Sequence, residues 1–208
     1  SGQKTMAEHH EACSIMFCDI VGSTPLFADL KPAEVVDWLN EVFSMFDQLV
    51  QKHSVEKIRT IGDNYMVAAG VPIARDDHAR ALASLALDMT DGLKQLPERN
   101  GKRIEFRLGI NSGPVVAGVI GKSKFQYDLW GDAVNVASRL EQHGESGKVH
   151  ISAATHDLTK NDFECESPSV FQINGTGEME PWLLGGHKGR ASPLPPFQYQ
   201  RPSLSAAA

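Results

Sequence analysis

The sequence is poor in several things that would have fixed its class at once. Only three of its 208 residues are cysteines, Cys13, Cys18 and Cys165. Three thiols cannot form a closed disulfide set, so a disulfide-stapled secreted scaffold is excluded and a reducing compartment is expected. Positive charge is not in excess. The formal net charge is -6, which gives no global reason to expect nucleic acid or a membrane surface as partner, although a local basic site for phosphate stays open. No apolar run approaches the roughly 18 residues of a membrane-spanning helix. No secretory leader is visible either, and Ser1-Gly2 reads as an expression scar. No internal repeat or long low-complexity block interrupts the chain.

What is present is enough for one packed domain: 41% hydrophobic residues over a length typical of a single domain with tails. Residues 1–10 are polar and expected to be loose, the domain is expected over 11–185, and the Gly-, Pro-, Ser- and Ala-rich stretch 186–208 is expected to be a flexible tail. Ala12 to Cys18 reads as a buried strand ending at Asp19, followed by Gly22, Ser23, Thr24 and Pro25 in a strand-to-helix loop. Val35, Val36, Leu39, Val42, Phe43, Phe46, Leu49 and Val50 recur at helical spacing, with Pro32 near the start where proline is tolerated. A hairpin over about 56–71 follows, turning at Gly62-Asp63, and a second helix over about 76–96. Residues 103–111 alternate as a strand, and 114–119 read as another, hairpinned through Ser112-Gly113. After a strand or extended arm at 124–130, a third helix starts with Asp132 as N-cap and stops near Gly144. A short strand over 148–152 and a brief helix come next, and 171–173 with 182–184 read as a final hairpin. Several of the strand pairs are hairpins, which favours an α+β arrangement of helices on a mostly antiparallel sheet.

Two carboxylates draw attention. Asp19 and Asp63 are 44 positions apart (63 minus 19), yet each ends an apolar strand. If those strands are neighbours the acids converge, and like charges in a partly desolvated place repel. A divalent cation would remove the conflict. Magnesium favours one or two carboxylates completed by substrate phosphates. Either Asp taken alone is read as well as a turn former. The Gly22–Thr24 backbone could cradle phosphate where a helix begins, but the loop lacks the GK[ST] of a P-loop. Asn135 and Arg139 are four apart on the third helix and share a face. An amide and a guanidinium so placed could hold a ribose and a developing phosphoryl charge. From spacing alone a solvated face is the plainer reading, with Arg139 paired to Glu141 or Glu145.

FCDIVGST, VEKIRTIGDNYMVAAGVP, FRLGINSGPVVAGVIG and QYDLWGDAVNVASRLE, in this order, resemble a class III nucleotidyl cyclase catalytic domain. The similarity covers about residues 11–155 and is nearest in look to mycobacterial and mammalian-type adenylyl cyclases. The resemblance implies an α+β fold with a ferredoxin-like βαββαβ core sheet, and formation of cyclic AMP from ATP with release of pyrophosphate. It implies two Mg²⁺ or Mn²⁺ ions per site, held by Asp19, Ile20 and Asp63. Arg107 then matches an arginine for the terminal phosphates, with Gly22, Ser23 and Thr24 alongside. Asn135 and Arg139 become the transition-state pair, reaching in from the other chain of a head-to-tail homodimer. Asp128 matches the carboxylate that accepts from adenine, and Arg59 stands where adenylyl cyclases carry lysine. Guanylyl cyclases place Glu and a Cys-like residue at these two positions. The family's KGKG-like turn matches INGTG here, which puts the uncharged Thr176 where a phosphate-binding lysine is usual, with Lys188 or Arg190 able to compensate. ATP is the expected substrate and nucleic acid is not expected as a partner. Regulatory domains are expected to lie outside this chain, with the catalytic domain in the cytoplasm. GTP cyclisation, or a degenerate homology domain that binds nucleotide without turnover, are the alternatives.

Overall fold

The computed structural model describes residues 7–121, 124–167, 171–173, 177–189 and 198–199. Its elements, in chain order, are β1 (Ala7–Ile20), α1 (Ser23–Phe27), α2 (Pro32–Lys52), β2 (Glu56–Ile61), β3 (Asn64–Ala69), α3 (His78–Gln95), β4 (Phe106–Ile120), β5 (Gln126–Trp130), α4 (Asp132–Gln142), β6 (Val149–Ile151), α5 (Ala153–Thr159), β7 (Phe163–Glu166), β8 (Phe171–Ile173), β9 (Gly177–Met179) and β10 (Trp182–His187). The main sheet runs β2-β3-β1-β4-β6-β10-β7, with β5 also paired to β4. Its first four members carry the βαββαβ connectivity expected from the sequence. Every pairing is antiparallel except β4 with β6.

The layering follows from side-chain alternation along β1 and β4. Met16, Cys18 and Ile20 on β1, with Phe106, Leu108 and Ile110 on β4, join α2 and α3 in one apolar cluster. Phe46 is its centre, fully buried, with its ring centroid 5.4 Å from Tyr65 and 5.1 Å from Phe106 in edge-on geometry. Such aromatic pairs add about 0.5–1.5 kcal/mol each beyond burial. Cys13, Ile15 and Phe17 point the other way and meet Ala133, Val134 and Ala137 of α4. The sheet is thus covered by α2 and α3 on one face and by α4 on the other. Asp19 and Arg107 continue the α4-facing series.

The α2 stripe differs slightly from the expected one. Trp38 and Met45 are buried in it, whereas Val36 is 65% exposed. Strand β1 begins at Ala7, so residues 7–10, expected to be loose, pair with Val115–Gly118. Strand β10 likewise extends past the expected start of the tail at 186, with His187 paired to Phe163 beyond a register shift after Leu184.

The expected break at Ser112-Gly113 is not a turn. Strand β4 runs straight through it, with Ser112 opposite Ser14 and Gly113 opposite Cys13. The Ser112 hydroxyl is buried in a hydroxyl chain, 2.7 Å from Ser14 Oγ and 2.9 Å from Thr155 Oγ1. A Cβ on Gly113 would meet Ala133 Cβ at 3.2 Å, so the glycine serves the close passage of α4. Pro114 is tolerated inside the strand because the β1 register shifts opposite it, between His10 and Cys13. The expected final hairpin is also re-paired: β8 joins β9, and β10 lies between β6 and the unforeseen β7. The α4 N-cap is Gly131, with Asp132 inside the first turn.

Candidate active site

Strand β1 delivers Asp19 at its end, directly opposite Arg107 of β4. The Gly62-Asp63 turn delivers the second acid. Ile61 pairs with Asn64, so the β2–β3 connection is a two-residue loop. Gly62 occupies its first central position with φ 59°, where the primed hairpin turns that match strand twist favour glycine. Strand β3 lies beside β1, and this adjacency brings Asp63 to Asp19. Burial, then the charge of Asp63 and side-chain hydrogen bonding with it, push the Asp19 carboxyl above the usual carboxylate range, against the Arg107 guanidinium. Asp19 Oδ1 also accepts from the Ile20 N–H at 3.1 Å.

Arg107 is shared between two acids. Its Nη2 lies 3.6 Å from Asp19 Oδ2, and its Nε lies 3.3 Å from Glu141 Oε1. Glu141 is 1% exposed. Burial first, then the charge of Asp19, raises its carboxyl to about 7 although Arg107 pulls it down. The sequence reading did not place Glu141 here. Its one available signal was the α4 register, which sets it about 160° around the helix from Arg139 at 100° per residue.

Ile20 has a buried side chain, so only its backbone could contribute to a cation. Gly22 has φ 60° and caps the five-residue α1, turning the chain sharply away after Asp19. Ser23 and Thr24 open that helix. Asn135 is exposed and Arg139 half-buried on the outer face of α4. Among the described residues neither side chain has a hydrogen-bond or ion-pair partner, and Arg139 is not paired with Glu141 or Glu145. Arg59 of β2 and Asp128 of β5 form an ion pair with each other, while Asp128 Oδ1 accepts from the Leu129 N–H at 2.8 Å. Thr176 and Arg190 lie outside the described residues. Lys188 instead donates from Nζ to the Lys160 carbonyl at 2.8 Å.

The residues thus fall into three groups. One is Asp19, Asp63, Arg107 and Glu141; another is Arg59 with Asp128; the third is the outer face of α4. Among the described residues no hydrogen bond or ion pair joins the groups. The first fits a divalent cation, because two converging carboxylates, one raised by burial and by the charge of the other, are stabilised when positive charge enters between them. Among the described residues no three Asp, Glu, His or Cys side chains form a closed ligand cluster, so the rest of a cation's shell would fall to water or phosphate oxygens.

A family model described as the adenylate and guanylate cyclase catalytic domain matches residues 5–186. The chain belongs to that cyclase family. It is 43% identical over 188 residues to an adenylate cyclase of Mycobacterium tuberculosis, covering 90% of this chain and 42% of the relative. It is 41% identical over 185 residues to the guanylate cyclase soluble subunit beta-2 of Rattus norvegicus, covering 88% and 27%. The cyclase domain therefore spans less than half the length of the curated relatives it matches. Among solved structures, the adenylyl cyclase CyaB from P. aeruginosa superposes with a TM-score of 0.81 at 25% identity, over 90% of this chain and all of that one. The catalytic core of a rhodopsin-guanylyl cyclase with converted specificity, bound to ATPalphaS, superposes at 0.83 with 32% identity, over 88% and 99%. Relatives named for both nucleotides thus resemble this cyclase domain to a similar degree.

Proposed function

We propose that this cyclase domain converts ATP to cyclic AMP and pyrophosphate, in two sites shared across a head-to-tail homodimer. The observation that carries the reading is the meeting of Asp19 and Asp63 beside Arg107 at one end of the sheet. Divalent cations held by the two carboxylates, with the Ile20 backbone, would supply acidity to the ribose 3′-hydroxyl and charge to the departing pyrophosphate. Arg107 binds the terminal phosphates through its Nη donors. Asn135 orients the ribose, and Arg139 stabilises the charge that develops on the α-phosphoryl group during in-line attack by the 3′-oxygen. Among the described residues both are unpartnered on the α4 face turned away from their own carboxylates, which supports their service in a partner's site. Positioning and electrostatics carry the chemistry.

The dimer reading has further support in exposed apolar side chains on β4, on β5 and just before β5. Ile120 is 56% exposed, Phe125 71%, and Val116 and Trp130 38% each. No described helix is long and apolar enough to cross a membrane. The cytoplasmic location we propose rests on the three free thiols, which suit a reducing compartment. The preference for ATP rests on Arg59 and Asp128. Together they offer a donor and an acceptor, matching N1 and N6 of adenine. Glu in place of Arg59 would be needed to accept from guanine in the usual pose. The likeness to the soluble guanylate cyclase subunit favours GTP as the second reading.

The test is product formation from ATP and from GTP with Mn²⁺ or Mg²⁺, followed by mixing of inactive variants. Asp19→Ala and Arg139→Ala homodimers should each be inactive. Their equimolar mixture should regain about a quarter of the unsubstituted rate, since about half of randomly assorted dimers carry one intact site of two. An inactive mixture whose heterodimers are shown to form refutes the shared site.

A further inference from the structure

Glu141 is a carboxylate that neither the metal set nor the transition-state pair uses. It is almost fully buried, although α4 fills neighbouring inward positions with Ala137 and Leu140. An inward carboxylate is costly unless it does something for a charge beside it. The cation it faces is Arg107, at 3.3 Å from Nε. The contact is an ion pair without hydrogen-bond alignment, and neither Nε nor Oε1 makes a hydrogen bond. The helix backbone that carries Glu141 presses on the strand that carries Arg107. A Cβ at Gly109 would stand 2.4 Å from the Glu141 nitrogen. The anchor is therefore fixed to the sheet.

We propose that Glu141 is a positioning residue for the triphosphate arginine, holding the Nε edge of Arg107 so that its guanidinium does not close onto Asp19. The proposal rests on the cyclase reading above. Asp19 Oδ2 already lies 3.6 Å from Arg107 Nη2. With Glu141 neutral, Asp19 is the carboxylate left beside the guanidinium, and a bidentate arginine–carboxylate pair is the favoured geometry. Closing that pair would occupy the Nη donors needed by the phosphates and neutralise the acid needed by the cation. Glu141 competes for the same edge of the guanidinium, holding Nε while Asp19 lies against Nη2. It leaves Arg107 shared between two acids, with donors available to an incoming polyphosphate. The charge does this work, so glutamine, of the same shape, does not replace it.

Calorimetric titration of the purified chain with pyrophosphate in the presence of Mn²⁺, at pH 8 so that Glu141 is mainly ionised, tests the idea without turnover. Glu141→Gln should weaken pyrophosphate binding about 10- to 150-fold, the range of one charge-assisted contact. It should raise the KM for ATP by a similar factor and leave kcat within about threefold, because the contact serves the ground state and the transition state alike. In an Arg107→Gln background the same substitution should change pyrophosphate affinity less than about twofold, since its effect passes through the missing guanidinium. If Glu141→Gln fails to fold, Glu141→Asp keeps the charge but withdraws it by one methylene, and should show a smaller loss of the same sign. Unaltered or tighter pyrophosphate binding in the variant overturns the proposal, as does an equal loss with and without Arg107. Lack of pyrophosphate binding by the unsubstituted chain overturns the cyclase reading with it. Normal binding there and in the variant removes only the role of Glu141.

Discussion

Replacing Gly109 by alanine should disturb both proposed sites of the dimer without touching a functional side chain. Gly109 sits on β4 between Leu108 and Ile110, and its backbone is ordinary strand, so alanine brings no dihedral strain. The conflict is steric. The new Cβ would lie 2.4 Å from the Glu141 nitrogen, 2.8 Å from the Ala137 carbonyl oxygen and 2.9 Å from the Leu140 carbonyl carbon. All three are main-chain atoms of α4, so no rotamer change relieves them. Ordinary contact begins at 3.4 Å, which requires the helix to retreat by about 1 Å from a sheet packed too densely to yield elsewhere. Overpacking of this kind costs about 1–3 kcal/mol. For a domain of this length that lowers Tm by roughly 2–4 °C per kcal/mol, or up to about 12 °C. The same retreat carries Asn135, Arg139 and Glu141 with it, and a 1 Å misplacement of a positioning group costs about 100-fold in rate. Calorimetry and cyclic-nucleotide production should therefore both register the change. Gly186→Ala is the control, because nothing lies within 4 Å of its Cβ. If Gly109→Ala melts within about 2 °C of the unsubstituted chain and retains its activity, the account of α4 as a rigid carrier pressed on β4 is wrong.

Without divalent cation, stability should fall as pH rises through the range set by Glu141. Burial raises its carboxyl from 4.5 to about 7, so between these values the folded state binds more protons than the unfolded one and the slope of stability against pH is negative. The Glu141 share of the fall should total up to about 3 kcal/mol, and Glu141→Gln should remove that share in urea titrations at pH 5 and pH 8, leaving only the slope that the raised Asp19 contributes; an unchanged slope would show that Glu141 is not a titrating group. Arg59→Glu combined with Asp128→Cys should move the ratio of kcat/KM for GTP over ATP upward by about 100-fold, from two hydrogen-bond contacts of about 1.5 kcal/mol each. A ratio that does not move would remove the base from this pair's charge.

The short elements were read well where one residue type dictated the local geometry. Gly62 in a two-residue turn, the apolar period of α2, and the run ending at Asp19 each carry their own signal. Ser112-Gly113 misled because a Ser-Gly pair marks a turn only when its hydroxyl and backbone face water. Here Thr155 and Ser14 take the hydroxyl, and α4 explains the missing side chain. The last strands were mispaired for a related reason. Three-residue strands such as β8 carry no register information, and β7 has too short an alternation to be seen.

The sequence by itself settled the family, the order of the core elements and which acids end which strands, because these are properties of contiguous residues. Tertiary structure decided what those acids do to one another. Glu141 is 78 positions from Asp63 (141 minus 63) and 34 from Arg107 (141 minus 107), and only its place in the α4 register sets it apart from a solvent-facing helical glutamate. It becomes part of the site only because β4 carries Arg107 and the side-chain-free Gly109 on one face, letting α4 approach closely enough for a buried carboxylate to reach the guanidinium.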